Sequence, residues 1–135
     1  MNSTQGFNKM IPLKLQVLQE QFSVHQFAAT SQIPEQVFAS NFFTISKTAD
    51  ELSVVCDAAI QLNAEKSEDG WSALKVVGPL DFALVGILAE LATTLAQAGI
   101  SIFAISTYDT DYILIKTEQL RLALKTLLTA GYENV

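Results

Sequence analysis

One cysteine, one histidine and one tryptophan stand among the 135 residues. The lone Cys56 excludes an intrachain disulfide framework. It lies in Ser53-Val54-Val55-Cys56, an apolar run of strand character where a free thiol serves as a small core hydrophobe. A nucleophilic thiol needs an activating partner, and His25 is the sole imidazole the chain offers. His25 itself sits in an alternating strand pattern, where a packed or half-exposed histidine is expected. Paired-cysteine metal spacing, a phosphate-binding G-x-x-x-x-G-K-S/T loop, a G-x-S-x-G elbow and an H-E-x-x-H helix are all missing. No metal and no cofactor are expected.

Positive charge is scarce too. Eight basic residues face fourteen acidic ones, a formal charge of −6. Nucleic-acid and anionic-membrane partners draw on clustered Lys and Arg, so neither is expected. The first residues lack a basic segment followed by a long apolar run, so no secretory signal is expected. A membrane-crossing helix needs about 20 mostly apolar residues; the apolar stretch from Leu84 to Leu95 is interrupted by Glu90 and threonines and reads as a core helix. A cytoplasmic protein follows.

What is present is a core. Half of the residues are apolar and 16% are charged, the balance of a globular chain. Residues 1–10 read as a flexible lead-in. Leu13–Leu18 and Phe22–Phe27 alternate with the period of half-buried strands, and a helical turn is expected near Pro34. Asn41–Lys47 and Leu52–Asp57 are further strands, joined by a turn at Thr48-Ala49-Asp50-Glu51, where Asp50 is expected to bond its own backbone. The polar run from Asn63 to Gly70 reads as an exposed loop between halves. Trp71–Val77 is a strand.

A helix start follows at Gly78-Pro79-Leu80-Asp81, with Pro79 suited to the first turn and Asp81 to capping it. Leu84, Leu88, Leu91 and Leu95 then fall on one helical stripe, and Gly99 stops the helix. Ile100–Ser106 and a strand from Asp111 or Tyr112 to Lys116 form a hairpin. A last helix follows, capped by Thr117, with Leu120, Ala123, Leu124 and Leu127 inward and Glu118, Arg121, Lys125 and Thr129 outward. Gly131 ends it. The second half thus reads strand, helix, strand, strand, helix, one strand short of a ferredoxin-like unit. The strand-rich first half is expected to supply that strand, so that the halves complete each other.

The hairpin bend is the densest chemistry. Ser106, Thr107, Asp109, Thr110 and Asp111 gather there around Tyr108, with no glycine, which an ordinary tight hairpin favours. A free amino acid needs N–H donors for its carboxylate and an acid for its ammonium. A helix start entered through Gly78 offers the first, and Asp109 or Asp111 the second. Ser and Thr hydroxyls add donors and acceptors. The architectural alternative is that these residues serve only the turn. An Asp-x-Asp metal site lacks the six or more oxygens a hard cation requires.

Four segments in order, Thr48–Cys56, Gly70-Trp71, Val77–Phe82 and Ile105–Leu114, resemble the small tandem ACT proteins of bacteria. These are similar to the ACT modules of aspartate kinases and of the cytosolic arginine sensors that act on the TOR pathway. The resemblance spans about Leu13 to Gly131 and implies an α+β, ferredoxin-like ACT fold. It implies two fused ACT-like halves, 11–66 and 67–135, with helices on one face of an antiparallel sheet. The first half departs from the plain pattern in showing no long first helix.

The resemblance further implies a non-enzymatic regulatory or sensor protein that binds a small, amino-acid-like ligand. Carried over by matching motif, the ligand-binding residues are Gly78, Leu80, Asp81, Ser106, Thr107, Asp109 and Asp111, with no catalytic residue. ACT modules pair edge to edge, so a homodimer is the expected assembly. The alternative function is a structural or interaction module that dimerises or docks on an enzyme without a ligand. A third reading, an enzyme using Asp109 or Asp111 as a general base, lacks an oxyanion-type partner or cofactor motif.

Overall fold

The computed structural model describes residues 13–77 and 86–135. Strands β1 (Lys14–Phe27), β2 (Thr44–Lys47), β3 (Leu52–Asp57) and β4 (Lys66–Val76) precede helix α1 (Ile87–Gln97). Strands β5 (Ile102–Ser106) and β6 (Asp111–Lys116), helix α2 (Leu120–Thr129) and the short β7 (Glu133–Asn134) follow. The class is α+β, as expected. The chain divides into two compact units, one of residues 19–71 and one that joins residues up to 18 with those from 72 onward.

In the 19–71 unit the strands run in the order β2-β3-β1-β4. β1 and β3 are antiparallel, with Phe27 opposite Leu52 and His25 opposite Val54. β2 lies antiparallel on the other side of β3. Phe27, Val37, Leu52, Val54 and Cys56 form the buried core, with Phe43, Ile45, Ile60 and Leu62 packed around it. The expected helical turn is a five-residue 3-10 helix, Glu35–Ala39, which drives Val37 into that core. It is the helical element of this unit, so the missing long helix is a property of the fold.

In the other unit the order is β1-β4-β6-β5, with β7 added parallel to β1. The strand that the second half lacks is indeed supplied by the first: the start of β1 serves it, and Val77 N donates to Lys14 O at 2.8 Å. Leu74 and Val76 on β4, and Ile113 and Ile115 on β6, alternate and so share one face. They meet Ile87, Leu91 and Leu95 of α1 and Ala123 and Leu127 of α2 in one buried cluster. Both helices therefore lie on the same side of the sheet. Gly99 and Gly131 follow the helices with φ of 77° and 103°, the left-handed conformation that ends a helix and favours glycine.

Several local expectations are corrected. β1 is one 14-residue strand, because backbone pairing carries it through the polar Gln19-Glu20-Gln21. The polar run is not a loop throughout: Lys66–Gly70 is the first part of β4, and Glu65 N already donates to Gln26 O at 3.0 Å. Thr117 does not cap α2 with its side chain. It begins a 3-10 turn, and its hydroxyl shares a 2.8 Å hydrogen bond with Ser72. The expected helix start at residues 78–81 and Leu84 lie outside the described residues; α1 as described is preceded by Gly86 at φ 87°.

Behind α1, Tyr132 is 5% exposed and its hydroxyl donates to Glu90 Oε1 at 2.7 Å. Burial pushes its phenol above the ordinary value, and the bond and charge of Glu90 add to this. A raised acid favours the protonated fold. The contribution is complete below the unfolded value of about 10 and is lost as pH rises through the folded one. Unfolding in urea, followed from neutral pH to beyond about 10, is expected to show a steeper alkaline loss of stability in the parent than in Tyr132→Phe.

Candidate functional site

Ser106 and Asp111 face each other as the closing pair of the β5–β6 ladder. Ser106 Oγ donates to Asp111 Oδ1 at 2.6 Å. Inside that pair, Thr107 N donates to Thr110 O at 2.8 Å. The return bond is unusual: Thr110 N donates to the Thr107 hydroxyl at 3.3 Å, while that hydroxyl donates to Thr110 O at 3.0 Å. No described non-glycine residue has positive φ. A side-chain oxygen thus takes one role of the main-chain carbonyl, and the bend between β5 and β6 avoids the left-handed residues of a primed turn. That is why the bend carries Thr and no Gly.

The same chemistry closes the β2–β3 hairpin. Thr48 N donates to Glu51 O at 2.9 Å, and Thr48 Oγ1 accepts from Asp50 N and Glu51 N, both at 3.1 Å. Threonine, rather than the expected Asp50, makes the side-chain bonds. Thr48-x-Asp50 and Thr107-x-Asp109 are the sequence trace of one turn used twice. Neither spacing is distinctive by itself, so the repeat leaves no clear mark in the sequence.

Thr110 does a second job. It is 5% exposed, and its hydroxyl donates to Val76 O at 2.6 Å. This ties the β5–β6 bend to the end of β4, two residues before Gly78 in the chain. Tyr108 stands out at 85% exposure, and Asp109 is exposed beside it while Asp111 is half-buried. The structure therefore brings Ser106, Thr107 and Asp111 together with a buried clamp, Thr110, that was not among the expected ligand residues. Gly78, Leu80 and Asp81 lie outside the described residues. No local signal marks this clamp in the sequence, because its two partners stand 34 positions apart.

Among the described residues no group of three or more His, Cys, Asp or Glu side chains could hold a metal ion, and no helix is long and apolar enough to cross a membrane. Cys56 is fully buried, and burial, with Asp57 adding, pushes its thiol up. That favours the unreactive thiol over the thiolate.

An ACT domain family model matches residues 66–129, and a second, for an N-terminal domain, matches residues 20–60. The chain is 31% identical over 108 residues to the human "Cytosolic arginine sensor for mTORC1 subunit 1", which covers 74% of this chain and 32% of that protein. The mouse protein of the same name is 33% identical over 87 residues, 58% of this chain and 26% of that one. The chain thus spans about a third or less of the length of these relatives. A solved protein of Agobacterium tumefaciens superposes with a TM-score of 0.85 at 31% identity, covering 92% of both chains. The regulatory subunit of aspartate kinase from Thermus thermophilus superposes at 0.62 with 11% identity, over 86% of this chain and 95% of that one; a likeness at that identity bears on the fold alone. With the motif order, the strand order and these matches in agreement, residues 66–129 belong to the ACT-domain family.

Proposed function

We propose that this protein is a non-enzymatic regulatory module that binds a small, amino-acid-like ligand at the β5–β6 bend. The observation that carries this reading is the Thr110–Val76 bond at 2.6 Å. It holds an acidic, hydroxyl-rich bend against the strand end that leads into Gly78-Pro79-Leu80-Asp81. Asp111 would take the ligand ammonium, Ser106 and Thr107 would add hydroxyl contacts, and Asp109 would stand at the rim. Gly78, Leu80 and Asp81 would supply the carboxylate side. The Ser106–Asp111 bond orients the carboxylate without spending it, since an ionised carboxylate accepts about four hydrogen bonds. A relative named as an arginine sensor supports the ligand class.

Binding would act by favouring one arrangement or assembly, and its effect is limited by the ligand's differential affinity for the two. Titration calorimetry against arginine, lysine, threonine and the other common amino acids tests the reading. One of them is expected to bind, with Asp111→Asn weakening it by about tenfold or more, the scale of a lost charge-assisted bond. Silence from all of them at millimolar concentration would sink it. A second reading is favoured by β5, which ends the strand order with one side unpaired by any described strand. Such an edge invites pairing with a second copy. A dimer in light scattering that ignores every amino acid would select this structural role instead.

A further inference from the structure

The 19–71 unit carries a cavity of about 420 Å³, within the size range of small-molecule sites. It owes nothing to the β5–β6 bend. Ser23 and His25 alternate on β1, and Ser67 and Asp69 alternate on β4, so each pair projects to one face of its strand. The pairs are bonded crosswise. Ser23 Oγ donates to Asp69 Oδ1 at 2.6 Å, and His25 Nδ1 shares a 2.7 Å hydrogen bond with Ser67 Oγ. All four residues line the cavity, and Ile60 and Leu62 give it an apolar wall.

His25 is 5% exposed, and its Nε2 is a buried polar atom with no hydrogen-bond partner among the described residues. Buried polar atoms in folded proteins are ordinarily paired, and an exception calls for an explanation. Whichever ring nitrogen carries the proton, Nε2 is left to donate or to accept. Burial holds the imidazole below its ordinary value, with the charge of Asp69 opposing. The ring is therefore neutral near pH 7 and does not repel a cation.

Charge then selects the ligand. Among the described residues that line the cavity, Asp69 is the one acid, and neither Lys nor Arg is present. A cationic head finds an acceptor, and a methylene stem finds Ile60 and Leu62. A ligand carboxylate finds no counter-ion. We infer that this cavity is a second binding site, for a small organic amine or guanidine without a carboxylate.

The test uses the full chain with agmatine and cadaverine as probes, and arginine and lysine as their carboxylate-bearing counterparts. His25 is the sole histidine, so its ring nitrogen resonances report the cavity without any substitution. Agmatine or cadaverine is expected to shift them saturably, and arginine and lysine to bind at least about tenfold more weakly. Asp69→Asn is expected to weaken the amine by a similar factor, while Glu118→Gln, at an exposed position in the 3-10 turn before α2, leaves it unchanged. A ring that neither amine moves at millimolar concentration overturns the proposal. So does arginine shifting the His25 ring resonances with an affinity equal to that of agmatine. Should Asp69→Asn fail to fold, the ring resonances of the unaltered protein decide.

Discussion

Thr110→Val is expected to destabilise the protein by about 1–3 kcal/mol, the cost of leaving a buried acceptor without its donor. Valine matches the shape of threonine but cannot donate to Val76 O, the 2.6 Å bond that ties the bend to β4. The bend's main-chain bond, Thr107 N to Thr110 O, survives the change, as does the approach of Thr110 N to the Thr107 hydroxyl. The substitution therefore separates the tether from the turn. Amide exchange at residues 107–110 should quicken while β6 beyond Ile113 stays protected. Thr110→Ser keeps the hydroxyl and should stay near the parent. If the β5–β6 bend is the ligand site, Thr110→Val also weakens the amino-acid response, because a loosened bend must be ordered again on binding. An unchanged exchange rate at 107–110 would show that the tether is dispensable.

A larger loss is expected from Phe22→Ala in the 19–71 unit. Phe22 is fully buried, and its ring meets Phe42 edge-on at 5.5 Å with an interplanar angle of 73°. Removing a buried ring forfeits its transfer free energy and leaves a cavity, together about 3–5 kcal/mol, of which the aromatic pairing is about 0.5–1.5 kcal/mol. Phe22→Leu should recover most of this. Because the chain holds two compact units, one midpoint for the whole protein is an ambiguous measure. The sharper one is amide exchange along β1 from Phe22 to Phe27 and along β3, the pairs that Phe22 anchors. Protection there should fall by the full free energy. Protection that falls equally in β5 and β6 would show instead that the units unfold as one.

Which parts of this were readable beforehand follows from the range of the forces involved. Leu52–Asp57 is legible with its boundaries, and the strand that ends at Lys116 with its start open between Asp111 and Tyr112, because alternation and turn residues are local signals. The stops at Gly99 and Gly131 were found because a left-handed residue is a local demand on one backbone. The polar Lys66–Gly70 reads as a loop in the sequence because side-chain polarity does not report backbone pairing. What holds it extended is its place beside β1, some forty residues away. The same reason joined two apparent strands into β1.

The site divides in the same way. The bend's acids and hydroxyls were legible as a polar run, but the Thr110–Val76 clamp spans 34 positions and leaves no local trace. The Ser23–Asp69 and His25–Ser67 bonds span 46 and 42. Residue types alone made His25 an ordinary strand histidine. Composition and period determined the class, the core and the acidic bend of this protein. Only strand pairing decided which polar side chains meet, since a contact across a sheet depends on register between distant segments and not on the residues beside each partner.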